Sequence, residues 1–123
     1  MHLLHRLKAM ALLVFGQRAA AERVFDAMLL MWPHDAYALA SRSHLRMQRR
    51  DAAGAILDAQ ALVQHHPERS AGDWFNLAYL LERADRLDEA LVAFRKAVAL
   101  DPKLDRAWYG LGLTLIRERR FDE

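Results

Sequence analysis

Residues 71–104 read AGDWFNLAYLLERADRLDEALVAFRKAVALDPKL, and this stretch decides the fold. Apolar residues recur in it at helical spacing in two runs, Trp74 to Leu81 and Ala90 to Ala97. Arg86-Leu-Asp-Glu89 supplies the turn before the second run, and Pro102 follows it. Outward from here the pattern repeats. Pro33, Pro67 and Pro102 are 34 and 35 residues apart, and Trp74 and Trp108 are 34 apart. Ala21, Ala55 and Ala90 each lie twelve residues before a proline; Phe25, Ala59 and Phe94 lie eight before. Units of this period cannot bury their apolar faces alone and must stack. A binding surface is therefore expected rather than a catalytic pocket.

The chain's 123 residues allow one domain, or three to four stacked helical units. With 54% hydrophobic and 28% charged residues it can build a packed core, which argues against disorder and against a membrane span. Glycine and proline are few and no β-type alternation is sustained, so the class is all-α. Lys and Arg exceed Asp and Glu by 18 to 16, too small an excess to carry nucleic-acid binding. The basic clusters Arg46, Arg49, Arg50 and Arg117, Arg119, Arg120 fall where helices turn and read as solvated turns. The absence of cysteine excludes disulfides and thiolate metal sites. His2 to Lys8, followed by the apolar run Ala9 to Phe15, could pass for a short signal peptide. The register Ala21, Phe25, Pro33 continues from that segment without a break, and favours the first helix of a repeat instead.

The pattern Trp74-x-x-Leu77-Ala78-x-x-Leu81, Ala90-x-x-x-Phe94-x-x-Ala97, Pro102 resembles the tetratricopeptide repeat, a helix–turn–helix of 34 residues. Trp108-x-x-Leu111-Gly112-x-x-Leu115 repeats its start in phase, with Leu81 and Leu115 where the family usually has tyrosine. The resemblance implies an all-α solenoid of antiparallel helix pairs in a right-handed superhelix. It also implies three repeats (2–35, 36–69, 71–104) and one extra helix (partial repeat 105–123) in a single domain. Counted from the start of each repeat, position 8 holds Ala9, Ser43, Ala78 and Gly112, and position 20 holds Ala21, Ala55 and Ala90. All are small because the two helices of a repeat cross closely there; a leucine would cost about 1–3 kcal/mol by overpacking. Phe25 and Phe94 fill the space between repeats, each contributing roughly 1.5–3 kcal/mol on burial. Proline ends the second helix by its ring clash and missing N–H.

The first two repeats depart from the pattern. Arg42 and Arg46 occupy apolar positions 7 and 11 of the second, and His5 and Lys8 occupy positions 4 and 7 of the first. Their second helices, about 18–31 and 52–65, are in register, while a rotation of the helix near 36–48 is left open. An extra residue sits in the turn between Pro67 and Trp74. Arg119-Arg-Phe-Asp-Glu123 matches the turn at Arg86 to Glu89, so the fourth repeat is expected to stop after one helix at about 105–118. That helix would leave Trp108, Leu111 and Leu115 as an apolar strip, open to self-association, and the chain reads as a fragment of a longer protein.

No nucleophile elbow, phosphate-binding glycine loop or zinc-protease motif is present, and His2/His5 and His65/His66 lack a third ligand at helical spacing. An enzyme, a cofactor and a metal are not expected. In similar proteins the first helices line a concave groove through positions 2, 5, 9 and 12. Here these are Leu3, Arg6, Met10, Leu13; Tyr37, Ala40, His44, Met47; Gly72, Phe75, Tyr79, Glu82; and Arg106, Tyr109, Leu113, Ile116. Phe75, Tyr79 and Tyr109 with Arg83, Arg106 and Arg117, against Glu82, suggest a site for an apolar and acidic peptide. Some relatives clamp a terminal carboxylate with Lys, Asn and Arg. Asn76 fits the Asn position and Arg106 could replace one lysine, but Ala40, His44 and Gly110 leave that clamp incomplete. The expected function is a protein–protein interaction scaffold in the cytoplasm, less readily the periplasm, with no nucleic-acid or membrane partner. The alternative is a docking or regulatory segment of a larger enzyme that continues past residue 123.

Overall fold

Seven helices follow one another through short turns in the computed structural model, which describes residues 2–122, with side chains as far as Arg119. They are α1 (His2–Val14), α2 (Arg18–Met31), α3 (Ala36–Gln48), α4 (Ala52–His65), α5 (Ala71–Arg83), α6 (Leu87–Leu100) and α7 (Asp105–Asp122). The protein is all-α, and α2 and α4 run where the repeat register puts them. The chain divides into two compact units, residues 1–62 and 63–123, taken in turn below.

The register is written into the backbone as well as the side chains. Gly16, Arg50 and Asp85 all take positive φ, at 75°, 65° and 63°. Each occupies position 15, and the residue after it reaches back five residues: Gln17 N–H to Leu12 C=O, Asp51 to Arg46, Arg86 to Leu81. This is the Schellman ending, which satisfies carbonyls the helix would otherwise leave unpaired. Glycine adopts it without strain, whereas Arg50 and Asp85 do so against their Cβ sterics. The fourth repeat does not follow. Arg119 stands at position 15, but α7 continues to Asp122 rather than ending near 118. The run Arg117-Glu-Arg-Arg120 is made of good helix formers and has no glycine or asparagine to favour the left-handed turn. Glu123, the last residue of the expected turn, lies outside the described residues.

In the first unit the core gathers Ala9, Ala21, Phe25, Met28, Ala38, Leu39, Leu45 and Leu62. Ser43 at position 8 donates its hydroxyl to the carbonyl of Ala55 at position 20, at 2.8 Å, so α3 and α4 touch where both side chains are small. α3 is not rotated. It buries Ala38, Ser43 and Leu45, at positions 3, 8 and 10, and α5 buries Asp73, Ala78 and Leu80 at the same three. Arg42 and Arg46 therefore stay turned inward and are neutralised there. Asp58, 3% exposed, accepts from Arg42 Nε and Nη2 at 2.9 and 2.7 Å and lies 3.3 Å from Arg46 Nη1. Arg42 also reaches Asp26 at 2.9 Å. The hydrogen bonds that Arg42 donates to Asp58 raise the pKa of Arg42 above its ordinary value. Arg49 grips Glu22 with two bonds of 2.8 Å, and that contact holds the Glu22 carboxyl below its ordinary 4.5. Arg46 and Arg49 thus belong to an ion network joining α2, α3 and α4; Arg46 is turned inward, while Arg49 joins it from the solvated turn with its side chain 53% exposed.

In the second unit α6 packs on both α5 and α7, burying Leu77, Ala78, Leu81, Ala90, Phe94 and Ala97. Trp74 donates its indole N–H to Pro67 C=O at 2.7 Å, and Trp108 does the same to Pro102 at 2.8 Å. The extra residue after Pro67 is absorbed in the turn without losing this bond. Phe94 lies against α7 at Gly110, where an added Cβ would come within 2.5 Å of its ring. Gly112, at the small position 8, has nothing within 4 Å, because no described helix covers that side of α7. Two glycines on one helix should consequently respond oppositely to alanine. Gly112→Ala should gain about 0.5–1 kcal/mol from helix propensity. Gly110→Ala should lose about 1–3 kcal/mol net, because the buried Phe94 ring has no room to retreat. Urea titration of both variants checks the contrast; equal shifts would contradict the packing of α7 on Phe94.

Candidate functional site

Charge pairing sorts the residues expected at the site. On the second unit, Phe75 is half-buried: its ring sits 6.0 Å from Phe94 on one side and 6.4 Å from Tyr79 on the other. The Arg106 guanidinium, carried by α7, lies 4.9 Å over the Phe75 ring. Tyr79 is 44% exposed, and its hydroxyl accepts from Arg83 at 3.0 Å. Asn76 is exposed beside them, as are Tyr109 and Leu113 on α7. Phe75 thus packs against its neighbours, while Tyr79 and Tyr109 keep a face open to solvent.

Arg83 and Arg106 have no carboxylate partner among the described residues, whereas Arg117 pairs with Glu82 and Asp85. Arg117 also donates to the Glu82 carbonyl at 3.3 Å. This corrects the sequence reading, which set Arg117 and Glu82 on the open face as separate charges. They neutralise each other across α5 and α7, and the free positive charge there is that of Arg83 and Arg106. The expected apolar strip on α7 is also reduced: Leu111 is buried, leaving Trp108 and Leu115 partly exposed.

Tyr37 and His44 belong to the first unit. Tyr37 is half-buried, 5.7 Å from the Phe25 ring and with Arg6 4.6 Å over its own. His44 is exposed on α3 and bonds Gln48 at 3.2 Å. Each unit therefore carries one arginine stacked on one aromatic ring, between positions 5 and 2 of consecutive first helices: Arg6 with Tyr37, and Phe75 with Arg106. The columns contain both pairs, but their contact was not read from the sequence. Cation–π contacts of this kind contribute about 0.5–1 kcal/mol where exposed.

His2 and His5 both pack on Trp32, with ring centroids at 3.6 and 5.6 Å. Among the described residues no group of three potential metal ligands converges, and no helix is long and apolar enough to cross a membrane.

Comparison with known proteins places this geometry. Residues 71–104 match the family model of the tetratricopeptide repeat. No curated protein matches the sequence. Among solved structures, a crystal structure of MamA shares 22% identity at a TM-score of 0.84, over 93% of this chain and 66% of its own. This chain thus spans just under two thirds of that protein's length. The first TPR of Spaghetti (RPAP3), bound to the HSP90 peptide SRMEEVD, shares 14% identity at a TM-score of 0.83, over 95% and 92% of the two chains. The Yersinia enterocolitica type III secretion chaperone SycD, in complex with a peptide of the translocator YopD, shares 18% identity at a TM-score of 0.81, over 95% and 93%. Likeness at such identities shows the fold. The tetratricopeptide repeat is thus matched at residues 71–104, and the chain as a whole is similar in fold to these solved structures.

Proposed function

We propose that the protein is a non-enzymatic interaction scaffold that holds a short peptide, or one helix of a partner, on the α5–α7 face of its second unit. One observation carries this reading. Arg83 and Arg106 keep their charge uncompensated beside Phe75, Tyr79 and Tyr109, while Arg42, Arg46, Arg49, Arg69, Arg86 and Arg117 are all paired to carboxylates. Two guanidinium groups without carboxylate partners, next to partly exposed rings, suit a ligand with apolar anchors and acidic side chains. Two structures of similar fold hold peptides, which supports the same reading. Binding should be modest, on the order of micromolar, because a face this small buries little area and the peptide loses entropy on ordering. Trp108 and Leu115, partly exposed on α7, would serve self-association if a second copy competes for that helix.

The test is selection from a random peptide library displayed on phage. The parent chain should enrich sequences combining aliphatic and acidic residues. Tyr79→Ala with Arg106→Ala should enrich none while keeping its helical circular dichroism, since both side chains are exposed. Identical enrichment by parent and double variant would remove the site from this face.

A further inference from the structure

The first unit carries a surface that peptide binding on the second does not use. At about 100° per residue, Leu3, Leu4, Leu7, Met10, Val14 and Phe15 fall within one sector of roughly 140°, opposite the buried Ala9. Phe15 belongs to this strip because its N–H still donates to Ala11 C=O. All six are half exposed or more, with Val14 at 80% and Phe15 at 77%.

Stacking of repeats accounts for only part of the strip. Leu4 holds position 3, which is buried in α3, α5 and α7 as Ala38, Asp73 and Ala107. Val14 and Phe15 hold positions 13 and 14, which elsewhere are Gln48 and Arg49, Arg83 and Ala84, and Arg117 and Glu118. The other first helices end in mostly polar residues; this one ends in two exposed apolar ones.

Charge identifies what covers the strip. The first carboxylate in the chain is Glu22. Glu22 is engaged by Arg46 and Arg49, Asp26 by Arg42, and Asp35 by His2 and the Ala38 N–H. Lys8 and Arg23 line the furrow between α1 and α2, next to Leu4, Leu12 and Val24. Neither has a carboxylate partner among the described residues, so this flank of the strip is cationic. Pairing with the same face of a second copy would set these cations against their counterparts. A folded partner would have to match six long side chains standing out from one helix, whereas a lipid surface needs no matching shape.

We infer that α1 is a docking element for an anionic membrane surface. The helix lies in the interface plane, its apolar strip in the boundary between headgroups and acyl chains, with Lys8 and Arg23 against lipid phosphates. The composition excludes a spanning helix; it does not exclude one that lies on the bilayer.

Cosedimentation of the full chain with vesicles of phosphatidylglycerol and phosphatidylcholine in equal parts tests this, with pure phosphatidylcholine as the comparison. The parent should pellet with the anionic vesicles and stay in solution with the neutral ones, and added salt should release it. Val14→Glu with Phe15→Glu, at positions too exposed to affect folding, should weaken binding at least about tenfold, and so should Lys8→Glu with Arg23→Glu. The inference is overturned if the parent ignores anionic vesicles, binds both kinds equally, or binds no better than the Val14/Phe15 variant. It is also overturned if the parent self-associates through these residues without binding vesicles, which would give the face to a second copy.

Discussion

Asp58→Ala should lower stability by about 3–5 kcal/mol, more than most truncations of an aspartate, because it strips a buried anion from two inward-turned cations. Arg42 and Arg46 have side chains only 19% and 20% exposed. Asp26 would remain to Arg42, but its side chain is 45% exposed and compensates less. The third repeat solves the same packing problem without charge: Leu77, Leu81 and Ala93 hold the positions of Arg42, Arg46 and Asp58, and all three are buried. A triple variant carrying Arg42→Leu, Arg46→Leu and Asp58→Ala should therefore be more stable than Asp58→Ala alone, despite two further changes. Urea unfolding of parent, single and triple variants reads this out. A loss below about 1 kcal/mol for the single variant would mean that the ion network contributes no more than a surface pair.

Phe94→Ala should cost about 3–5 kcal/mol. The ring is 2% exposed, packs edge-on against Phe75 and fills the space that Gly110 leaves on α7. Its removal opens a cavity between α5, α6 and α7 and frees Phe75 from the contact that sets it beneath Arg106. Peptide capture should fall along with stability. Tyr109→Ala, in a side chain 70% exposed, should change stability by less than about 0.5 kcal/mol and act on binding alone. Thermal unfolding separates the two; a small effect at Phe94 would contradict the packing of α7 on α6.

Much of the fold was legible because its repeating positions carry steric demands that one residue type can reveal. Ala21, Ala55 and Ala90 are fully buried at the helix crossings, and the spacing to each proline marked the second helices. Arg42 and Arg46 obscured α3, since an arginine in an apolar column reads as a helix turned outward unless its partners are known. Those partners, Asp26 and Asp58, each stand sixteen residues from Arg42, one on either side, and nothing local sets them apart from solvated carboxylates. The length of α7 was misjudged for a related reason. Arg-Phe-Asp-Glu resembles Arg-Leu-Asp-Glu in composition, but the turn in the third repeat depends on Asp85 leaving the helix at positive φ.

At the candidate site, the column rule found the rings and arginines but not their pairing. Glu82 and Arg117 are 35 residues apart, so their contact is between repeats and is invisible to a reading of one helix at a time. The stacking of Arg6 on Tyr37 and of Arg106 on Phe75 was hidden in the same way. The exposure of α1's outer apolar residues also escaped notice, because a leucine-rich helix looks equally at home inside a core.

The most direct test of the central claim is the ¹H–¹⁵N spectrum of the chain, titrated with a peptide enriched by library selection. Resonances of α5 and α7 around Phe75, Tyr79, Arg83, Arg106 and Tyr109 should shift together, with one midpoint on the order of micromolar. Shifts confined to the first unit, or none on α5 and α7 at saturation, would contradict the assignment of the binding face.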